Sequence, residues 1–342
     1  MSTRVLVARM DSAGDVLLAG PALRAVARGA DHVTLLCGPR GRAAADLLPG
    51  VDAVLCHHCP WIDAEPEPVT RAATETLIED VAALAPDVAV ILTSFHQSPL
   101  PLALLLRLAG VPRIGAASDD YPGSLLDVRH HVAEDVHEVR RALSVVAALG
   151  FRLEPGADER LRVRRSPAGR LGSESRYVVV HPGTSVPARA WGPAAHAALV
   201  HALAEQGRHV VVTGSPAEVP LTAAVAGPPD EHVLDLGGLT SLADLAEILA
   251  RADVLVVGNT GPAHLAAAVG TPVVSLYAPT VPAVRWRPWG VPHVLLYDAV
   301  PCAGCRARDC PIPSHPCLTG VSVDDVLDAL DHVAAPDLPV PA

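Results

Sequence analysis

Short runs of aliphatic and β-branched residues, each closed by a knot of small polar residues and followed by a helical pattern, recur along the whole chain. The runs are Val5 to Ala8, Val33 to Leu36, Ala53 to Leu55, Val88 to Leu92, Tyr177 to Val180, Val210 to Val212, Val254 to Val257 and Val273 to Leu276. They are continuously apolar rather than alternating, so both faces of the sheet they form are buried. Strands of that kind, with helices between them, build a parallel sheet covered on both sides. This predicts an α/β fold.

The plan occurs twice. The first half opens with Val5 to Ala8, the loop Asp11-Ser12-Ala13-Gly14-Asp15 and a helical pattern. The stretch "RRSPAGRLGSESR", Arg164 to Arg176, is polar and without periodicity, and it predicts a linker. After it the strand–loop–helix order restarts, with a helix over Ala194 to Glu205. An amphipathic helix is expected over Val323 to Val333. The organisation expected is a Rossmann-like domain over 1–165, a linker over 166–176, a second Rossmann-like domain over 177–320, and a C-terminal helix and tail over 321–342. The two parallel sheets are expected to face a central cleft, with ligands at the C-terminal ends of the strands.

Composition excludes several partners. The 342 residues carry a formal charge of -11 and 3% aromatics, which argues against nucleic acid. All 26 basic residues are Arg, so an anion must be met by Arg, His or backbone N–H groups. No secretory signal is evident, and Val88 to Leu106 is interrupted by Ser94, His96, Gln97, Pro99 and Pro101, which reads as strand, loop and helix rather than a membrane span. Seven cysteines without an export signal predict a reducing cytoplasm. Cys302, Cys305, Cys310 and Cys317 begin with metal-ligand spacing but lack a second tight pair, so free thiols are the favoured expectation and no metal is expected.

The knot Gly258-Asn259-Thr260-Gly261-Pro262-Ala263-His264 lies between a buried strand and a helix. Asn259 or Thr260 is placed to cap that helix, whose first N–H groups carry the positive end of the helix dipole and suit a phosphate. Gly261 permits close approach and His264 falls in the first turn. The plainer alternative is an ordinary capped helix. Similar loops stand at Ser12-Ala13-Gly14, at Thr184-Ser185 after Gly183, and at Gly214-Ser215. Two of them with the knot point to a nucleotide diphosphate in the second half. Arg189 is a candidate clamp for it, or a solvated Arg. Glu218 is a candidate for ribose hydroxyls, or a first-turn charge. Asp15 is a candidate general base or a helix cap, and Asp11 competes for either role.

These motifs together resemble glycosyltransferase family 9, whose best-known members are the ADP-heptose:lipopolysaccharide heptosyltransferases. The resemblance rests on "RVLVARMDSAGDVLLAGPALRAV", "VVVHPGTSVPARAWGP", "VVVTGSPAE" and "GNTGPAHLAAAVGTPVV", and it covers nearly the whole chain. It implies a GT-B fold and an inverting, metal-independent transferase with no cofactor. The acceptor, a glycan or glycolipid, would sit on the N-terminal domain near Asp11, Ser12 and Gly14, with Asp15 as the base. The nucleotide-diphosphate sugar would sit on the C-terminal domain, at Thr184, Ser185, Arg189, Gly214, Glu218, Asn259, Thr260, Gly261 and His264. The family often carries Asp where this chain has Asn259, so the resemblance does not fix the sugar as heptose. A monomer is expected, in the cytoplasm, either free or at the inner face of the membrane. The alternatives are a nucleotide-sugar epimerase of the same fold and a non-catalytic nucleotide-sugar binder.

Overall fold

The computed structural model describes residues 2–63, 65–133, 135–165 and 176–333. The expected linker falls outside these residues except at Arg176, and so does the tail beyond Val333. The chain divides into two compact units, Met1–Arg164 and Arg165–Ala342.

In the first unit β1 (Arg4–Ala8) leads through a turn into α1 (Ala13–Leu18) and α2 (Gly20–Gly29). β2 (His32–Cys37), α3 (Arg42–Ala45), β3 (Ala53–Cys56) and α4 (Arg71–Leu84) follow. The unit ends with β4 (Val88–Ile91), α5 (Leu100–Leu108), β5 (Arg113–Ala117), β6 (Val128–His130) and α6 (Glu138–Ala148). The strands form one parallel sheet in the order β3-β2-β1-β4-β5-β6. Val5 pairs with Val33 on one side and Val88 on the other. Leu6, Ala8, Leu36, Ala89, Ile91 and Ile114 pack with Leu102 and Leu106 of α5 and Leu77 and Val81 of α4 in one core.

The second unit repeats this winding. It contains β7 (Tyr177–His181), α7 (Pro193–Glu205), β8 (His209–Val212), α8 (Val219–Ala226), β9 (Val233–Asp235) and α9 (Leu242–Leu249). β10 (Val254–Gly258), α10 (Gly261–Val269), β11 (Val273–Leu276), α11 (Ala283–Trp286), β12 (His293–Leu296), α12 (Pro316–Thr319) and α13 (Val323–Val333) complete it. The parallel order is β12-β11-β10-β7-β8-β9, the same path as in the first unit. Helix α13 shares the core of this unit: Val326, Ala329, Leu330 and Val333 pack with Val178, Val256 and Val274.

The sequence reading located eight of these strands to within a residue or two at each end. β5, β6, β9 and β12 carry weaker signals. β6 and β9 have three residues each, and β5 is interrupted by Gly115. Gly115 is small for a packing reason: a Cβ there would fall 2.6 Å from Cδ1 of Leu149, at the end of α6. Overpacking of that kind costs about 1–3 kcal/mol. Gly115→Ala is therefore expected to lower the urea unfolding free energy of the chain by that amount. An unchanged midpoint would show that Leu149 yields freely.

Candidate active site

In an open parallel sheet, ligands collect beyond the carboxyl ends of the strands where the winding reverses. That point lies between β1 and β4 in the first unit and between β7 and β10 in the second. The candidate residues cluster at both points.

Beyond β1 lies Arg9, a guanidinium only 3% exposed. Its Nε is 3.3 Å from Asp11 Oδ1, and its Nη2 donates to Asp15 Oδ1 at 3.0 Å and to Ser94 Oγ at 2.9 Å. Nη1 and Nη2 both reach Glu138 Oε2 at 3.4 Å. Burial opposes the charge on Arg9, but three carboxylates more than offset it and hold the guanidinium firmly protonated. Burial raises Asp11 above the usual carboxylate range, with Arg9 pulling the other way. Burial likewise pushes Glu138 up to about 7, against the pull of Arg9 and Arg141.

Two aspartates competed for one role in the sequence, and the structure separates them. Asp11 is enclosed, 8% exposed, and its Oδ2 accepts from Ser94 Oγ at 3.0 Å and from Gln97 Nε2 at 2.8 Å. Asp15 is 17% exposed and stands in the first turn of α1. Its Oδ2 accepts from Ser12 Oγ at 2.7 Å, so the helix-capping role is real as well. Gly14 is buried beside it. Arg9 and Glu138 were not singled out from the sequence. Arg9 follows a strand as any surface Arg would, and Glu138 lies 129 residues away on another element.

In the second unit the winding reverses beside α10. Helices α4, α9 and α13 each spend a hydroxyl on their first turn: Thr70 Oγ1 accepts from Ala73 N, Ser241 Oγ from Asp244 N, and Ser322 Oγ from Asp325 N. Thr260 is the N-cap of α10, with φ −138° and ψ 176°, yet makes no such bond. Its Oγ1 is buried and without a hydrogen-bond partner. The ordinary-cap reading thus loses its expected contact. Gly261 and Pro262 open the helix, and His264 is buried in its first turn.

Arg189 reaches this helix end. Its Nη1 donates to the Asn259 carbonyl at 3.2 Å and its Nε to Thr280 Oγ1 at 3.2 Å. Thr184 lies close by, since a Cβ at Gly258 would fall 3.2 Å from Thr184 Cγ2 and from the Arg189 carbonyl. Ser185 is exposed. Asn259 donates its amide N–H to the Ala278 carbonyl at 3.2 Å. Only its Oδ1 is left without a partner. An Asp here would set a carboxylate against the Ala278 carbonyl, which explains the amide.

Glu218 caps its own turn. Its Oε2 accepts from Ser215 N and Oγ, both at 2.7 Å. Its carboxylate also lies over Gly183, where any Cβ would strike it, and a Cβ at Gly214 would fall 2.6 Å from Thr222 Cγ2. His181, at the end of β7, bonds Thr213 Oγ1 at 3.0 Å, and burial keeps its proton affinity low.

Cys302, Cys305, Cys310 and Cys317 line one pocket with Ala188, Thr280 and His315. All four are free thiols. Among the described residues no group of three or more His, Cys, Asp or Glu is arranged to hold a metal ion. The loop braces the Arg189 region through backbone bonds: Ala188 N to Arg308 O at 2.9 Å and Arg306 N to Thr280 O at 2.9 Å. No helix among the described residues is long and apolar enough to cross a membrane.

Two doubly wound units of one topology, each with polar groups gathered at its switch point, define an α/β protein of the GT-B fold. A model of glycosyltransferase family 9 (heptosyltransferase) matches residues 90–315. The lipopolysaccharide heptosyltransferase 3 of Escherichia coli K12 is 30% identical over 162 residues, 45% of this chain and 47% of that protein. The match with that curated relative thus spans about half its length. The glycosyl transferase family 9 structure from Veillonella parvula DSM 2008 superposes with a TM-score of 0.78 at 17% identity, covering 97% of each chain. The E. coli heptosyltransferase WaaC with ADP-2-deoxy-2-fluoro heptose gives 0.74 at 20% identity, covering 96% of this chain and 99% of that one. The chain belongs to glycosyltransferase family 9.

The Arg9 cluster makes a prediction that needs no substrate. Removing the cation from a buried ion group strands its partners, at about 3–5 kcal/mol. Arg9→Met is expected to cost that much stability at pH 8 and less at pH 5. Without the cation the acids protonate more readily folded than unfolded, so stability falls as pH rises. Urea unfolding at the two pH values checks this; a loss independent of pH would contradict it.

Proposed function

We propose that the chain is an inverting glycosyltransferase that moves a sugar, heptose or a close relative, from a nucleotide diphosphate to a hydroxyl of a glycan or glycolipid, without a metal. The observation that carries this reading is the unspent cap of α10: the Thr260 hydroxyl is buried with no protein partner, and Arg189 lies alongside. Family membership favours transfer over the epimerase alternative. The names of the relatives, and the donor analogue bound to WaaC, support ADP as the nucleotide and a lipopolysaccharide-type glycolipid as acceptor.

In this mechanism Asp15 accepts the proton of the attacking hydroxyl as the bond to the anomeric carbon forms. Its greater exposure favours it over the enclosed Asp11. As the sugar–phosphate bond breaks, charge builds on the departing diphosphate. The Gly261 N–H, the positive end of the α10 dipole, the Thr260 hydroxyl and Arg189 stabilise that charge. Gly261 allows the phosphate to approach the backbone. Glu218, with Oε2 committed to Ser215, offers Oε1 to a ribose hydroxyl. Thr184, Ser185, Gly214 and His264 complete the donor side, and Ser12 and Gly14 the acceptor side. The helix end and Arg189 supply the electrophilic help for which other transferases use a metal ion, so turnover is expected to survive a chelator.

Asp15→Asn is expected to cut transfer on the order of a hundredfold or more and to leave donor affinity nearly unchanged. Normal turnover in that variant would sink the assignment. On the donor side Thr260→Val is the sharper probe. The hydroxyl makes no bond in the protein, so stability should hold, while ADP affinity should fall by about 1–3 kcal/mol. Calorimetry with ADP decides; equal affinity, together with equal affinity in Gly261→Val, would make α10 a plain helix.

A further inference from the structure

We infer that Glu138 is a positioning residue for the reaction, holding Asp15 in place through the guanidinium of Arg9. The inference rests on the reading of Asp15 as the base.

A Glu in the first turn of a helix ordinarily faces water, where it meets the helix dipole without losing hydration. Glu138 does the opposite. It is the first residue of α6, only 2% exposed, and its Oε2 meets both Nη1 and Nη2 of Arg9 at 3.4 Å. Arg9 already has two carboxylates, Asp11 and Asp15, which more than balance its charge. A third buried carboxylate costs desolvation that neutrality does not require. Its geometric effect is specific. Arg9 is gripped from the β1 turn by Asp11, from the β4 loop by Ser94 and from α6 by Glu138. The remaining donation, from Nη2 to Asp15 Oδ1 at 3.0 Å, is then aimed in one direction. Ser12 holds the other carboxyl oxygen, so both oxygens of Asp15 are oriented.

Other charged groups also face Glu138. Arg141, one turn along α6, acts on it but gives its Nε to the Thr93 carbonyl at 3.1 Å, tying α6 to the end of β4. On α2, packed along α6, Arg24 reaches Asp158 and Arg28 is exposed. On β6, His130 bonds Ser144. The acids that act on Glu138 are Asp15 and Asp11.

The test is a double-mutant cycle read in turnover, with ADP-heptose as donor and a lipooligosaccharide acceptor as probes. Glu138→Ala is expected to lower kcat about tenfold with both KM values within about twofold, and Glu138→Gln, which keeps an oxygen on Arg9, to recover most of the loss. In an Asp15→Asn background Glu138→Ala should change the residual rate by less than about twofold. A purely structural role would instead lower both backgrounds alike, and that result overturns the inference. Wild-type turnover in Asp15→Asn alone would sink the base assignment and not this contact. A crystal structure of Glu138→Gln and, where it folds, Glu138→Ala gives a readout without substrate. Displacement of Arg9 and Asp15 in the Ala variant but not in the Gln variant supports the inference. Unmoved side chains in both overturn it, and if the Ala variant does not fold, Glu138→Leu serves in its place.

Discussion

The first unit depends on one buried cation. Placing Arg9 beyond the end of β1 removes its guanidinium from water, and only close carboxylates make that tolerable. Asp11, Asp15 and Glu138 come from the β1 turn, α1 and α6, so the same attraction that neutralises Arg9 draws three elements together at the switch point. Order at this point is therefore a by-product of desolvation. The acid with the most remaining access to solvent is Asp15, the residue we propose as the base.

The second unit solves a different problem with the backbone. A chain without lysine must meet a diphosphate with Arg and N–H groups. The end of α10 is what we propose meets it: its cap hydroxyl is not spent, Asn259 turns its amide inward to Ala278, and Arg189 is fixed between the Asn259 carbonyl and Thr280. The cysteine-lined loop contributes by holding the Ala188 and Thr280 backbones, on either side of Arg189.

Much of this was legible in the sequence, for physical reasons. A strand buried on both faces must be continuously apolar, so Val254 to Val257 or Val88 to Leu92 announce themselves. The three-residue β6 and β9 have no room for a pattern. The helix of α13 was placed at Val323–Val333 because its apolar spacing is strong. The site residues within loops were visible because Gly, Ser and Thr knots after strands are rare elsewhere. Glu138 and Arg9 were not, because their meeting across 129 residues is a tertiary event with no local signal. The same holds for Glu218: its capping role is local and readable, whereas its position over Gly183 comes from the meeting of two loops.

The central claim is that a nucleoside diphosphate is held by the backbone at the start of α10. A crystal structure of the chain grown with ADP tests it most directly. The account predicts phosphate oxygens within hydrogen-bond distance, about 2.7–3.2 Å, of the Gly261 N–H and of Thr260 Oγ1, with Arg189 on the same phosphates. ADP bound elsewhere, with the Thr260 hydroxyl still unpartnered, would contradict it.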